Sequence, residues 1–149
     1  MKAAVLHGAA DLRYETVADP APAANEVIVE VHACSICGSD LHGFYGKHPW
    51  LVFPRILGHE FAGEVVALGS GVEGVPIGQR VCCDIDINFS RGNFQAFAPC
   101  LDLVAKRAVD PDLYISHRLP LAHAADALHL LEARSVEAHK IALHPQEAA

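Results

Sequence analysis

Residues 26–68 read EVIVEVHACSICGSDLHGFYGKHPWLVFPRILGHEFAGEVVAL, and the two ends of this stretch differ in kind from its middle. Glu26–Ala33 alternates charged or polar residues with branched apolar ones, the period-two pattern of a half-buried strand. Glu60–Leu68 (EFAGEVVAL) is a second predicted strand. Between them lie Cys34, Cys37, Ser39, Asp40, His42 and His59, so the residues able to do chemistry sit between two strands.

Working outward, Met1–Leu6 is a short apolar strand, Asp19–Asn25 (DPAPAAN) a proline-rich loop, and Gly78–Cys83 (GQRVCC) a further strand. Gly69–Ile77 (GSGVEGVPI) spells G-x-G-x-x-G with Gly69, Gly71 and Gly74. That fingerprint holds a pyrophosphate only where a helix follows it, and here Pro76 and another strand follow, so the segment reads as a hairpin connection. After Asp84 the pattern turns helical. Phe97–Arg107 and Leu121–Arg134 are predicted helices, the second with Leu121, Ala124, Ala125, Leu128 and Leu131 on one face. Short strands are expected at Leu113–Ser116 and Lys140–Leu143, while Ile85–Phe94 reads as a junction.

The length of 149 residues suits one domain, and a composition about half apolar is that of a globular chain. A net charge of −7, with no run of basic residues, speaks against a nucleic-acid partner. No apolar run is long enough for a membrane span or a signal peptide, so a soluble, cytoplasmic protein is expected. The five cysteines are an odd number and argue against a disulfide framework. Cys34 and Cys37 form a C-x-x-C without thioredoxin-like surroundings; Cys34 is therefore expected to be a small buried residue, and Cys82, Cys83 and Cys100 core positions. His117, His123, His129, His139 and His144 in the tail receive no role.

Cys37 and His59 are the soft thiolate and imidazole that zinc prefers. Glu60 adds a possible oxygen ligand, and Asp40 is placed to orient a ligating histidine. Cys37 and His59 are twenty-two residues apart, which matches no local chelate motif, so spacing alone leaves a buried thiol and a core histidine open. Ser39 and Asp40 are expected to cap a short helix beginning near Leu41.

CGSDLH at 37–42, GHE at 58–60, GEVVALGSGV at 63–72 and GQRV at 78–81 run in an order that resembles zinc-dependent medium-chain dehydrogenases, the family of alcohol, sorbitol and threonine dehydrogenases. Residues 1–84 resemble its GroES-like catalytic domain. Residues 109–135 (VDPDLYISHRLPLAHAADALHLLEARS), followed by KIAL, are similar to the segment that returns to that domain. The resemblance implies a mainly β, α+β fold: a GroES-like partial β-barrel with C-terminal helices packed on it. It implies a single domain over 1–149, made of 1–84 and about 95–149 joined near 85–94. It further implies one catalytic-type zinc on Cys37 and His59, Glu60 as the neighbouring carboxylate, Ser39 beside the substrate oxygen and His42 as the next proton relay.

The chain departs from the family pattern in three respects. The Rossmann domain and any visible NAD(P) site are absent, the third protein ligand usually supplied from that middle region is missing, and Cys82–Cys83 stand where a four-cysteine lobe is expected. These departures imply a catalytic-domain homologue that binds zinc but is not a self-sufficient dehydrogenase. A non-catalytic binding or assembly module and a nicotinamide-independent zinc hydrolase are the alternatives. A homo-oligomer, formed through the surface left by the missing domain, and a small alcohol or carbonyl ligand are the expected partners.

Overall fold

A computed structural model describes residues 1–83, 97–133 and 137–147. The architecture is α+β, as expected. β1 (Lys2–Gly8) pairs antiparallel with β2 (Asp11–Thr16) and with the two-residue β4 (Arg55–Ile56). The larger sheet has the order β6-β5-β3-β8-β7, built from β3 (Val27–Ser35), β5 (Glu60–Leu68), β6 (Arg80–Cys82), β7 (His117–Pro120) and β8 (Ile141–His144). Its pairs are antiparallel except β7 with β8, which run parallel. The helices are α1 (Gly38–Phe44), α2 (Phe97–Ala105) and α3 (Ala124–Glu132).

β8 lies directly against the end of β3, pairing Leu143 with Cys34 and Ala142 with Ser35, so the tail completes the sheet the first half began. The core grows from the same corner: Leu6, Ile36, Phe44, Ala124, Ala127, Leu128, Ile141 and Leu143 form one buried cluster. Phe44 and Leu6 are fully enclosed. Burying an aromatic ring of this kind contributes about 2–3 kcal/mol, which fixes α1 against α3 and β1.

Several boundaries move from expectation. The helix after Cys37 begins at Gly38 rather than near Leu41, because Asp40 reaches back to accept from the Cys37 backbone N–H at 2.9 Å; Ser39 is inside the first turn and is not the cap. The expected strand at Leu113–Ser116 starts instead at His117. Asp110 and Pro111 set up a 3-10 turn over Pro111–Leu113, and the Ser116 hydroxyl donates to the Lys140 carbonyl at 2.8 Å. Leu121–His123 is likewise a 3-10 turn leading into α3. The proposed junction Ile85–Phe94 and residue Arg134 lie outside the described residues.

Of the cysteines expected in the core, Cys82 and Cys100 are exposed and Cys83 only half-buried. Cys82 sits on β6, at the edge of the sheet, and Cys100 on α2, whose described side chains face outward. The G-x-G-x-x-G glycines do join β5 to β6. A Cβ on Gly69 would lie 1.8 Å from the Ala23 carbonyl oxygen, so close packing of two backbones accounts for that glycine.

Candidate metal centre

Two segments converge where β3 ends. β3 delivers Ser35 and leads through Ile36 to Cys37; the run through Gly58 delivers His59 directly into the first residue of β5, Glu60, which pairs with Ser35. A Cβ at Gly58 would meet the Cys34 sulfur at 2.9 Å, and Gly58 has φ +104°, so the turn that presents His59 needs glycine. The donor atoms of Cys37, His59 and Glu60 all lie within 4.8 Å of one another, and all three residues are half-buried. Among the described residues this is the only such group. One thiolate, one imidazole and one carboxylate at this separation are donors suited to zinc, so the residues fit the ion their chemistry suggests.

Asp40 organises the corner. It is 6% exposed, the one charged residue among the buried side chains described. Its Oδ2 takes the Cys37 N–H, and its Oδ1 lies 3.4 Å from His59 Nδ1. The other imidazole nitrogen, Nε2, is 3.4 Å from Ser39 Oγ. One carboxylate thus links the backbone of one donor to the ring of another, which holds both in register. The hydroxyl of Ser39 meets His59 rather than His42, which stands exposed in the last turn of α1.

Two residues without a role in the sequence reading also belong to the site. Ser35 Oγ donates to Glu60 Oε2, and Lys140 Nζ donates to the same oxygen and to the Ile36 carbonyl at 3.4 Å. Burial pushes the Glu60 carboxyl up, but the Lys140 and Ser35 hydrogen bonds and the Lys140 charge outweigh it and leave the group below its ordinary value. Lys140 lies 80 residues beyond Glu60 in sequence, and only the β3–β8 pairing brings them together. Burial, with the Asp40 charge added, pushes the Cys34 thiol up to about 11, so Cys34 is a protonated thiol at neutral pH. A pocket of about 370 Å³ is lined by Ile36, Cys37, Gly38, Leu41, Leu131, Ala138 and His139, so that Cys37 is the donor residue bordering it.

The alcohol dehydrogenase GroES-like domain matches residues 23–103, which is more than half of the chain and includes all three donors. The chain belongs to this family. Among the relatives of this GroES-like domain, the sorbitol dehydrogenase of Bacillus subtilis (strain 168) is 34% identical over 157 residues, covering 97% of this chain and 44% of that protein. The starvation-sensing protein RspB of Escherichia coli (strain K12) is 48% identical over 65 residues, 44% of this chain and 19% of its own. Two solved structures share the fold: 2R,3R-butanediol dehydrogenase from Bacillus subtilis (40% identity, 54% of this chain and 26% of that one, TM-score 0.50) and zinc-dependent alcohol dehydrogenase 2 from Streptococcus pneumonia (33% identity, 55% and 24%, TM-score 0.52). The chain spans less than half the length of each of these relatives. No helix among the described residues is long and apolar enough to cross a membrane.

Proposed function

We propose that this chain is the catalytic domain of a zinc-dependent alcohol-dehydrogenase-type oxidoreductase, a single domain over 1–149 that holds one zinc ion on Cys37 and His59 with Glu60 as the adjoining carboxylate. The observation that carries this reading is the approach of the Cys37 thiol to within 4.8 Å of the neighbouring His59 imidazole and Glu60 carboxylate, from two stretches about twenty residues apart. The contact of Asp40 with the far nitrogen of His59 supports it further, since ligating histidines are typically oriented this way. When bound, zinc polarises an alcohol or carbonyl oxygen and lowers the pKa of a hydroxyl.

The protein's own groups do the rest. The neighbouring pocket takes a small alcohol or carbonyl ligand against Ile36, Leu41 and Leu131. Ser39 Oγ, able both to donate and to accept, holds the proton of the ligand oxygen, and His42 lies further along the same helix as an exposed group that passes it to solvent. Residues 83–96 alone separate β6 from α2, too few for a Rossmann domain between them. We therefore read these 149 residues as not performing hydride transfer by themselves, and expect no NADH fluorescence enhancement on mixing them with the cofactor.

The thiols of Cys34, Cys37, Cys82 and Cys100, none in a disulfide, support a reducing, cytoplasmic setting. Self-association is the accompanying proposal, supported by the exposed apolar side chains of α2. Native mass spectrometry tests the metal reading: about one zinc per chain, lost in both Cys37→Ser and His59→Ala, is the expected result. A zinc-free protein after incubation with the metal would sink it and favour the assembly-module alternative.

A further inference from the structure

We propose that His139 supplies a third protein ligand to the metal, an inference that rests on the reading of Cys37 and His59 as ligands. A zinc ion open to a small ligand is typically held by three protein side chains. Glu60 is the nearest candidate, but its Oε2 already accepts from Ser35 and from the Lys140 ammonium. A carboxylate neutralised in this way is a weakened donor, so a third ligand with a lone pair to spare is wanted from the same pocket.

His139 meets that need. The antiparallel register of β3 and β8 runs Cys34 with Leu143 and Ser35 with Ala142, and the Ile36 N–H donates to the Ile141 carbonyl at 3.0 Å. Beyond that bond β3 has ended and the chain turns into α1, while Lys140 and His139 lie just before β8. His139, Cys37 and Gly38 line one pocket. The main chain there is anchored: the N–H groups of His139 and Lys140 both donate to Ser116 Oγ at 3.1 Å, and Lys140 Nζ is fastened to Glu60. The imidazole itself is exposed and makes no hydrogen bond or ion pair with any described residue. Its Cα is held while its ring remains free to turn. The ring stands outside the group of three donors, and its ligand role requires it to turn about its side-chain bonds into the pocket that it shares with Cys37. Glu60 then remains an outer carboxylate held by Lys140, and solvent or substrate takes the fourth position.

The test uses the full chain, with zinc affinity measured by competition against a chromogenic chelator and the visible spectrum recorded after loading with cobalt(II). His139→Ala is expected to weaken zinc binding by roughly 100-fold, at least the upper end of what losing a merely orienting group costs. Its cobalt absorption should fall in intensity as well. His139→Cys should restore binding and add a thiolate-to-cobalt charge-transfer band, a signature that a structural role would not produce. Wild-type affinity and spectrum in His139→Ala, alongside loss of metal in Cys37→Ser and His59→Ala, would overturn the ligand role of His139 and leave the metal centre standing. A wild-type chain that takes up neither zinc nor cobalt overturns both.

Discussion

The corner at the end of β3 and the helix α2 are both written in apolar residues, and they end in opposite surroundings. In the corner, Ile36 and Phe44 are buried under α3, β1 and β8, with the charged Asp40 enclosed beside them. On α2, Leu101 and Leu103 are 48% and 43% exposed and Val104 is also open. Apolar spacing says that a face needs cover; it does not say what provides it. The corner draws its cover from segments almost a hundred residues apart, and no described element performs that service for α2.

The comparison breaks most visibly at Phe44. Phe44→Ala should cost about 3–5 kcal/mol in a urea unfolding curve, because the ring is fully enclosed between α1 and α3. A loss under about 1 kcal/mol would mean that the corner is packed no better than α2.

Asp40 comes next. Removing it in Asp40→Ala takes away the helix-capping bond to Cys37, typically about 1 kcal/mol. It also removes the carboxylate behind His59, which should weaken zinc binding by roughly 10–100-fold. Asp40→Asn retains an oxygen to accept the Cys37 N–H and should recover the stability before it recovers the affinity. Variants that lose both in proportion would show that Asp40 acts through folding alone.

Cys34 gives a smaller effect with a defined pH window. Its thiol is held near 11 against an ordinary value of 9.0, chiefly by burial. An acid whose folded value is raised stays protonated in the native state while the unfolded chain ionises, so stability is intact below pH 9 and declines as pH rises from 9 towards 11. Cys34→Ala should flatten this alkaline decline in thermal melts. Iodoacetamide should label Cys34 slowly at neutral pH; labelling as fast as the exposed Cys82 would restore the redox reading of C-x-x-C.

How much of this was legible follows the range of each interaction. The strands at Glu26–Ala33 and Glu60–Leu68 are local patterns, and they survive with shifts of a residue or two. Asp40 behind His59 was within reach because it shares a turn with Cys37. Lys140 on Glu60 was not, since no periodicity connects β8 to β5; only the pairing of β8 with β3 does. Ser35 lies beyond the strand expected over Glu26–Ala33, and its position opposite Glu60 follows only once the β3–β5 register is known. Cys82 and Cys100 were misjudged because small and apolar residues read as core whether or not a second layer covers them.

The smallest effect belongs to α2. Leu103→Ser removes a side chain that is already largely in water, so the unfolding free energy of the dilute protein should change by no more than about 0.5 kcal/mol. Its consequence should appear instead with concentration. If copies of the chain cover α2 for one another, sedimentation equilibrium of the wild type will show a rising mass, and Leu103→Ser together with Leu101→Ser will shift that association to higher concentration without altering the melt. A wild type that stays monomeric throughout removes self-association as the cover for this helix. A double variant that loses several kcal/mol while monomeric shows that α2 packs within its own chain and ends the contrast with the Phe44 corner.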